Sequence, residues 1–238
     1  MANSYFQFKQ FTIQQDQCAM KVCTDACLFG AYIANEIQDQ SLQYILDIGT
    51  GTGLLSLLLA QKNKAIIDAV EIDSTAYEQA KVNVAASPWP AQINVFNSGI
   101  TDFNNGSKYD CIISNPPFFE DDLRSSDKQK NAAKHDSTLT LQELLGNVQR
   151  LLNDEGIFAV LLPYHRTEYF ITTALAVNLH CYKKVLVKQT PKHDYFRSIL
   201  FFSAKKNKLI AEVITIKNEA GIYTPEFILL LKDYYLHL

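Results

Sequence analysis

Short apolar blocks alternate with stretches of helical spacing along most of the chain. Tyr44–Ile48, Ala65–Ile72, Ile93–Asn97, Asp110–Ser114 and Gly156–Leu162 are short, apolar and bounded by turn formers, which predicts strands covered on both faces. Leu54–Gln61, Thr75–Ala86, Thr140–Leu152 and Thr167–Asn178 fit helices resting on a sheet. Ser74 precedes the second of these and is its expected N-cap. Such alternation implies a parallel sheet wound on both sides, hence the α/β class. Two further strands, Cys181–Val187 and Ser198–Phe202, follow with no helix between them. One of the two is therefore antiparallel, at one end of a doubly wound, mostly parallel seven-stranded sheet. Leu209–Ile216 reads as an additional strand and Pro225–Leu236 as a closing helix.

No repeat and no Pro-, Gly- or Ser-rich linker divides the chain. Residues 1–238 read as a single domain, with 1–40 an N-terminal segment and 209–238 a C-terminal strand-and-helix extension. Glu120–Asp136 reads as a polar loop.

Apolar residues make up 47% and charged residues 20%, a balance that excludes a disordered or fibrous protein. No apolar run approaches the ~20 residues of a membrane span, and no signal peptide is visible, so a cytoplasmic location is expected. Five cysteines then read as free thiols. Cys18, Cys23 and Cys27 cluster, but their spacing matches neither zinc nor iron–sulfur patterns, so no metal is expected.

Net charge is −3 but unevenly spread: from residue 179 onward ten Lys and Arg face five acids, and before it twelve face twenty. Lys183, Lys184, Lys188, Lys192, Arg197, Lys205, Lys206 and Lys208 have only Asp194 among them. Such a run is either a solvated face or an anion-binding patch.

The run Asp47-Ile48-Gly49-Thr50-Gly51-Thr52-Gly53 lies where a strand meets a helix, and its glycines allow a tight turn and close approach of a ligand. The spacing differs from the Gly-x-Gly-x-x-Gly of dinucleotide sites. Asp47 would repel a pyrophosphate and suits a ligand with an ammonium group. Glu71 follows Gly49 at the spacing at which an acid meets ribose hydroxyls. An adenosine ligand with an amino-acid tail, S-adenosylmethionine, satisfies both acids.

A later strand ends in Asn115-Pro116-Pro117-Phe118. Two prolines stop the strand and stiffen the backbone, so the Asn115 side-chain oxygen and the Pro116 carbonyl can converge on one point. An exocyclic amino group with two N–H donors needs two such acceptors, and Phe118 offers a stacking surface for a planar substrate.

Asp47–Gly53, Glu71-Ile72-Asp73 and Asn115–Phe118 resemble motifs I, II and IV of class I S-adenosylmethionine-dependent amino-methyltransferases. The resemblance narrows at Phe8-Lys9-Gln10-Phe11-Thr12, Cys18-Ala19-Met20-Lys21-Val22 and Thr24-Asp25, which are similar to the N-terminal signature of the bacterial tRNA1(Val) adenine-N6 methyltransferases. Lys134-His135-Asp136 before Thr138-Leu139-Thr140 is similar to their segment after the catalytic motif. The resemblance implies a Rossmann-like class I methyltransferase fold, S-adenosylmethionine as cofactor and the N6 amino group of adenine 37, beside the anticodon of tRNA1(Val), as target.

It also implies that Thr24 and Asp25 close over the methionine end of the cofactor, so that the N-terminal segment completes that site. Asp47, Gly49, Gly51, Gly53, Glu71 and Ile72 form the rest of the site, and Asn115, Pro116, Pro117 and Phe118 the catalytic turn. Many relatives place an acid after the third strand against the cofactor's adenine; here Ser98, Gly99 and Asp102 compete for that role. RNA contacts are expected from Arg124, Lys128, Lys130 and Lys134, and from Lys183, Lys184, Lys192 and Arg197. Tyr195, Phe196, Phe201 and Phe202 are expected to pack the last strand rather than stack bases. No obligate protein partner is evident. Guanine-N2 methylation of ribosomal RNA and glutamine-N5 methylation of a protein stand as alternatives, since both use similar Asn-Pro-Pro-aromatic turns.

Overall fold

A computed structural model describes residues 3–18, 20–116 and 139–238. A ribbon of β1 (Tyr5–Gln7) and β2 (Thr12–Gln14) leads into α1 (Thr24–Ile37). Then come β3 (Tyr44–Ile48), α2 (Leu54–Ala60), β4 (Ile66–Glu71), α3 (Ser74–Ala85), β5 (Ile93–Asn97) and β6 (Tyr109–Ser114). After them follow α4 (Leu141–Leu151), β7 (Leu152–Pro163), a 3₁₀ turn at Tyr164–Arg166 and α5 (Thr167–Leu175). The chain continues with β8 (His180–Lys188), β9 (Tyr195–Ser203), β10 (Ile210–Thr215) and α6 (Pro225–Leu231). No helix among these residues is long and apolar enough to cross a membrane.

Eight strands pair in the order β10-β8-β9-β7-β6-β3-β4-β5, all parallel except β9. The eighth is the additional strand expected near residues 209–216. The antiparallel strand is not at the sheet's edge: β9 runs back between β7 and β8, and β10 adds beyond β8. Strand alternation sorts the core into two layers. Ile45, Ile67, Ile113 and Leu161 face α1, α2 and α6, while Leu46, Val70, Ile112 and Val160 face α4 and α5.

Helix ends follow their capping groups. Asp73, not Ser74, caps α3, its carboxylate accepting from the Ala76 N–H at 2.8 Å. Thr140 and Glu143 form a reciprocal capping box at the start of α4. The closing helix stops at Leu231 because Tyr234 and Tyr235 are held by other parts of the chain. The Tyr234 carbonyl accepts from the Lys9 N–H, and its hydroxyl donates to the Leu58 carbonyl at 3.0 Å. Tyr235 pairs with Phe8 in an isolated bridge. The N-terminal ribbon and the C-terminus thus lock together over α2.

From β3 the chain builds outward through β4 to β5, then returns to lay β6 on the opposite side of β3. The order reverses between β3 and β6, and in such sheets the crevice beyond the carboxyl ends at that point is where ligands bind. The Ser114 hydroxyl donates to the Ile48 carbonyl at 2.9 Å and ties the two strand ends together there.

On α3, buried Asn83 joins two distant pieces of this region. Its Nδ2 donates to the Thr52 carbonyl of the glycine run at 2.8 Å and to the Gln14 carbonyl of β2 at 2.9 Å. Its Oδ1 accepts from the Gln14 N–H at 2.8 Å. Asn83→Leu leaves the buried Thr52 carbonyl without its partner and removes two part-buried bonds to Gln14, so the unfolding free energy is expected to fall by about 1–3 kcal/mol. A lower urea midpoint at unchanged slope reads this out; a wild-type midpoint contradicts it.

Candidate active site

At the end of β3, the side chain of Asp47 is wholly buried. Its Oδ2 accepts from the hydroxyls of Thr50, at 2.6 Å, and Ser56, at 2.7 Å. Its Oδ1 has no hydrogen-bond partner among the described residues. Burial pushes the Asp47 carboxyl up to about 6, the two hydroxyls pull it down, and nearby Glu71 adds a smaller upward push. A buried carboxylate with one idle oxygen is poised for a cationic group.

The turn after Asp47 hangs from β4, as the Gly49 and Thr50 N–H groups both donate to the Val70 carbonyl. Gly49 and Gly51 adopt φ of 72° and 57°, which favour glycine, and a Cβ on either would meet nothing within 4 Å. Their missing side chains leave open space beside Asp47.

Glu71, at the end of β4, accepts from the Gly51 N–H on Oε2 and the Asp73 N–H on Oε1, both at 2.9 Å. Each oxygen keeps a further acceptor site. Next to it Ile72 is 65% exposed, an apolar side chain presented at the sheet's carboxyl end. The segment after β5 folds back as a turn in which Asp102 and Phe103 donate to the Gly99 carbonyl. A side chain at 99 would crowd the Ile72 Cδ1 at 3.4 Å and approach Asp102 Oδ2 at 3.7 Å. Asp102 therefore brings a carboxylate to the corner that Gly99 leaves empty. Arg150 steadies this turn from α4 through the Ile100 and Phe103 carbonyls.

Across the switch point Asn115 continues β6. Ser114 lies opposite Ile48, so Asn115 stands beside the first glycine of the turn. The Asn115 Oδ1 is a second buried acceptor with no partner among the described residues. Pro116, next in the chain, is buried. Pro117 and Phe118, like Arg124, Lys128, Lys130 and Lys134, lie outside the described residues, as does the expected loop at Glu120–Asp136. Thr24 opens α1, and Asp25 beside it accepts from Arg197 Nε at 2.7 Å. Since Arg197 lies opposite Pro163 at the end of β7, the start of α1 is held at the same end of the sheet as Asp47 and Asn115.

The basic run separates in space. Lys183 is 8% exposed and paired with Glu36 at 2.9 Å and Glu212 at 3.2 Å, over the Tyr32 ring. Lys184 pairs with Glu168. Lys205, Lys206 and Lys208 follow β9 at the amino end of the parallel strands, away from the crevice. Lys188, Lys192 and Arg197 remain at the carboxyl end, with Arg197 committed to Asp25. Among the described residues no group of three or more His, Cys, Asp or Glu could hold a metal, and burial pushes the Cys18, Cys23 and Cys27 thiols up. Asn83 and Ser56 are supports that the sequence did not mark, while Thr50 and Asp73 lie inside the quoted motifs but their bonds to Asp47 and to the Ala76 N–H were not read from it. A hydroxyl three residues after Asp47 and a carboxylate two after Glu71 were the available signals.

Residues 30–169 match the methyltransferase small domain family. The chain is 42% identical over 238 residues, and over the whole of both chains, to the tRNA1(Val) (adenine(37)-N6)-methyltransferase of Phocaeicola vulgatus. It is 43% identical to the protein of that name in Dyadobacter fermentans, covering 98% of each. The chain belongs to the tRNA1(Val) (adenine(37)-N6)-methyltransferase family. The fold is also that of a structure described as a predicted O-methyltransferase from Agrobacterium tumefaciens, with a TM-score of 0.67 at 16% identity over 88% of this chain and 96% of that one.

Within this family member the idle Asp47 oxygen makes a pH prediction. Its folded pKa lies above the unfolded value of about 3.9, so its contribution to stability is present at low pH and is lost as pH rises through about 6. Ionised Asp47 is the form that attracts an ammonium group. Calorimetric affinity for S-adenosylmethionine is therefore expected to be flat above about pH 7 and to weaken by up to about tenfold per unit below 6. Asp47→Asn should bind more weakly with no such slope. A wild-type affinity that does not change between these ranges contradicts the assignment.

Proposed function

We propose that this chain transfers a methyl group from S-adenosylmethionine to the N6 amino group of adenine 37 in tRNA1(Val). The full-length match to relatives of that name supports the substrate. The observation that carries the chemistry is that two of the buried acceptors without a partner among the described residues, Asp47 Oδ1 and Asn115 Oδ1, lie on either side of the switch point.

The residues present fit the cofactor. Asp47 would take its ammonium group with Thr24 beside it, Gly49, Gly51 and Gly53 give it room, Glu71 would accept from its ribose hydroxyls, and Ile72 would face its adenine. When bound, S-adenosylmethionine supplies an electrophilic methyl group on a sulfonium centre. Asn115 Oδ1 and the Pro116 carbonyl accept the two N–H bonds of the target amine and turn its lone pair out of the ring toward that methyl. Both oxygens then face the positive charge that develops on nitrogen. As the new N–C bond forms, the methyl's bond to the sulfonium sulfur breaks to leave the neutral thioether S-adenosylhomocysteine, and the amine's surplus proton leaves to water, so no strong general base is needed. Holding both reactants in line supplies much of the rate. Phe118 stacks on the adenine, and Arg124, Lys128, Lys130, Lys134 and Lys192 contact RNA phosphates. Lys183, enclosed by Glu36 and Glu212, supports the fold instead.

Asn115→Ala is expected to lower kcat on tRNA1(Val) by at least ~100-fold, the cost of losing one positioned transition-state partner, while S-adenosylmethionine affinity stays near wild type. Near-wild-type turnover would sink the role given to this turn. Transfer by the wild type should also weaken steeply with salt, and methylation of a release factor but not of tRNA would overturn the substrate.

A further inference from the structure

β7 carries the chain outward past the switch point. Val160 lies opposite Ser114, and the strand runs on to Pro163 before Tyr164 opens the 3₁₀ turn. Tyr164 is thus one strand over from Asn115 and about 10 Å further out along the strand direction. Tyr195 opens β9 at the same end, opposite Lys188. The two tyrosine rings meet with centroids 5.2 Å apart at 49°. Tyr164 is 41% exposed, Tyr195 is half-buried, and neither belongs to either hydrophobic core. This differs from the expectation that Tyr195 packs the sheet as Phe201 and Phe202 do.

Cations frame the pair. The Lys188 Nζ sits 4.6 Å from the Tyr195 ring centroid. Lys192 is exposed and reaches Glu219 only at 3.7 Å. Arg166 lies two residues after Tyr164. Asp194 and Glu219 are the acids on the neighbouring segments, while Glu168 is taken up by Lys184.

We infer that Tyr164, Tyr195 and Lys188 form a stacking rim for an unpaired RNA nucleotide flanking the one whose amine reaches Asn115. Flat aromatic faces left out of the core, with ammonium groups beside them, match a base and its phosphate, and such stacking tolerates any base. The ~10 Å offset from Asn115 is too long for the target base itself and suits a neighbour in the same loop. The inference rests on the tRNA reading of the active site.

The test compares two double variants with wild type. Tyr164→Leu/Tyr195→Leu should raise KM for tRNA by at least ~5-fold, the loss of stacking on one base, with kcat at saturating tRNA, S-adenosylmethionine affinity and Tm near wild type. Tyr164→Phe/Tyr195→Phe keeps both rings and should restore KM. An unchanged KM in the leucine variant overturns the rim, and so does an equal loss in the phenylalanine variant. Fluorescence anisotropy with a labelled RNA hairpin separates the two readings. Wild type that binds the hairpin without methylating tRNA, with binding lost in the leucine variant, keeps the rim and rejects the target. Equal hairpin binding by wild type and the leucine variant rejects the rim.

Discussion

A carboxylate wholly removed from water must be compensated, and among the described residues Asp47 is compensated on one oxygen only. That imbalance organises the rest of the site. The Thr50 and Ser56 hydroxyls that saturate Oδ2 come from the turn and from α2, so they hold the glycine run curled over the strand end. Glu71 takes the Gly51 N–H from the side of β4, and the Ser114 hydroxyl binds the Ile48 carbonyl from the side of β6. Three adjacent strand ends are thereby fixed around one open acceptor. Asn115 adds the second acceptor across the crevice.

The chain's two ends serve this arrangement. β2 has α3 as its partner through Asn83, and the same amide holds Thr52. The C-terminal tyrosines close over the ribbon and α2, and the Asp25–Arg197 pair pins the start of α1 to β9. Segments distant in sequence are therefore joined to the main sheet and its helices by side-chain bonds, an ion pair and one isolated bridge, without becoming strands of that sheet. That construction lets a short N-terminal ribbon position Thr24 without being part of the main sheet.

The positions of the glycine run, Glu71 and Asn115 were legible in the sequence because each sits where a strand ends, and strand ends announce themselves through turn residues. The helix α1 was not legible. Ten of its residues are buried between α2 and α6, so it lacks the polar face that would mark a helical period. The cap of α3 was misplaced by one residue because Asp73 and Ser74 are both good capping residues, and only geometry decides which side chain reaches Ala76. The basic run misled for a topological reason. β8 and β9 form an antiparallel pair, which carries lysines close in sequence to opposite ends of the sheet, and strand alternation turns Lys183 inward with Val185 and Val187.

What sets this site apart from a generic nucleotide crevice is the second buried acceptor at Asn115, which in the proposed reading receives an amine rather than a phosphate. The most direct measurement is to supply purified protein with tRNA1(Val) and methyl-labelled S-adenosylmethionine, digest the RNA, and locate the label by mass spectrometry. Label is expected on N6 of adenine 37 and nowhere else. Label on a guanine N2, or RNA that stays unlabelled while a protein substrate is methylated, would contradict it.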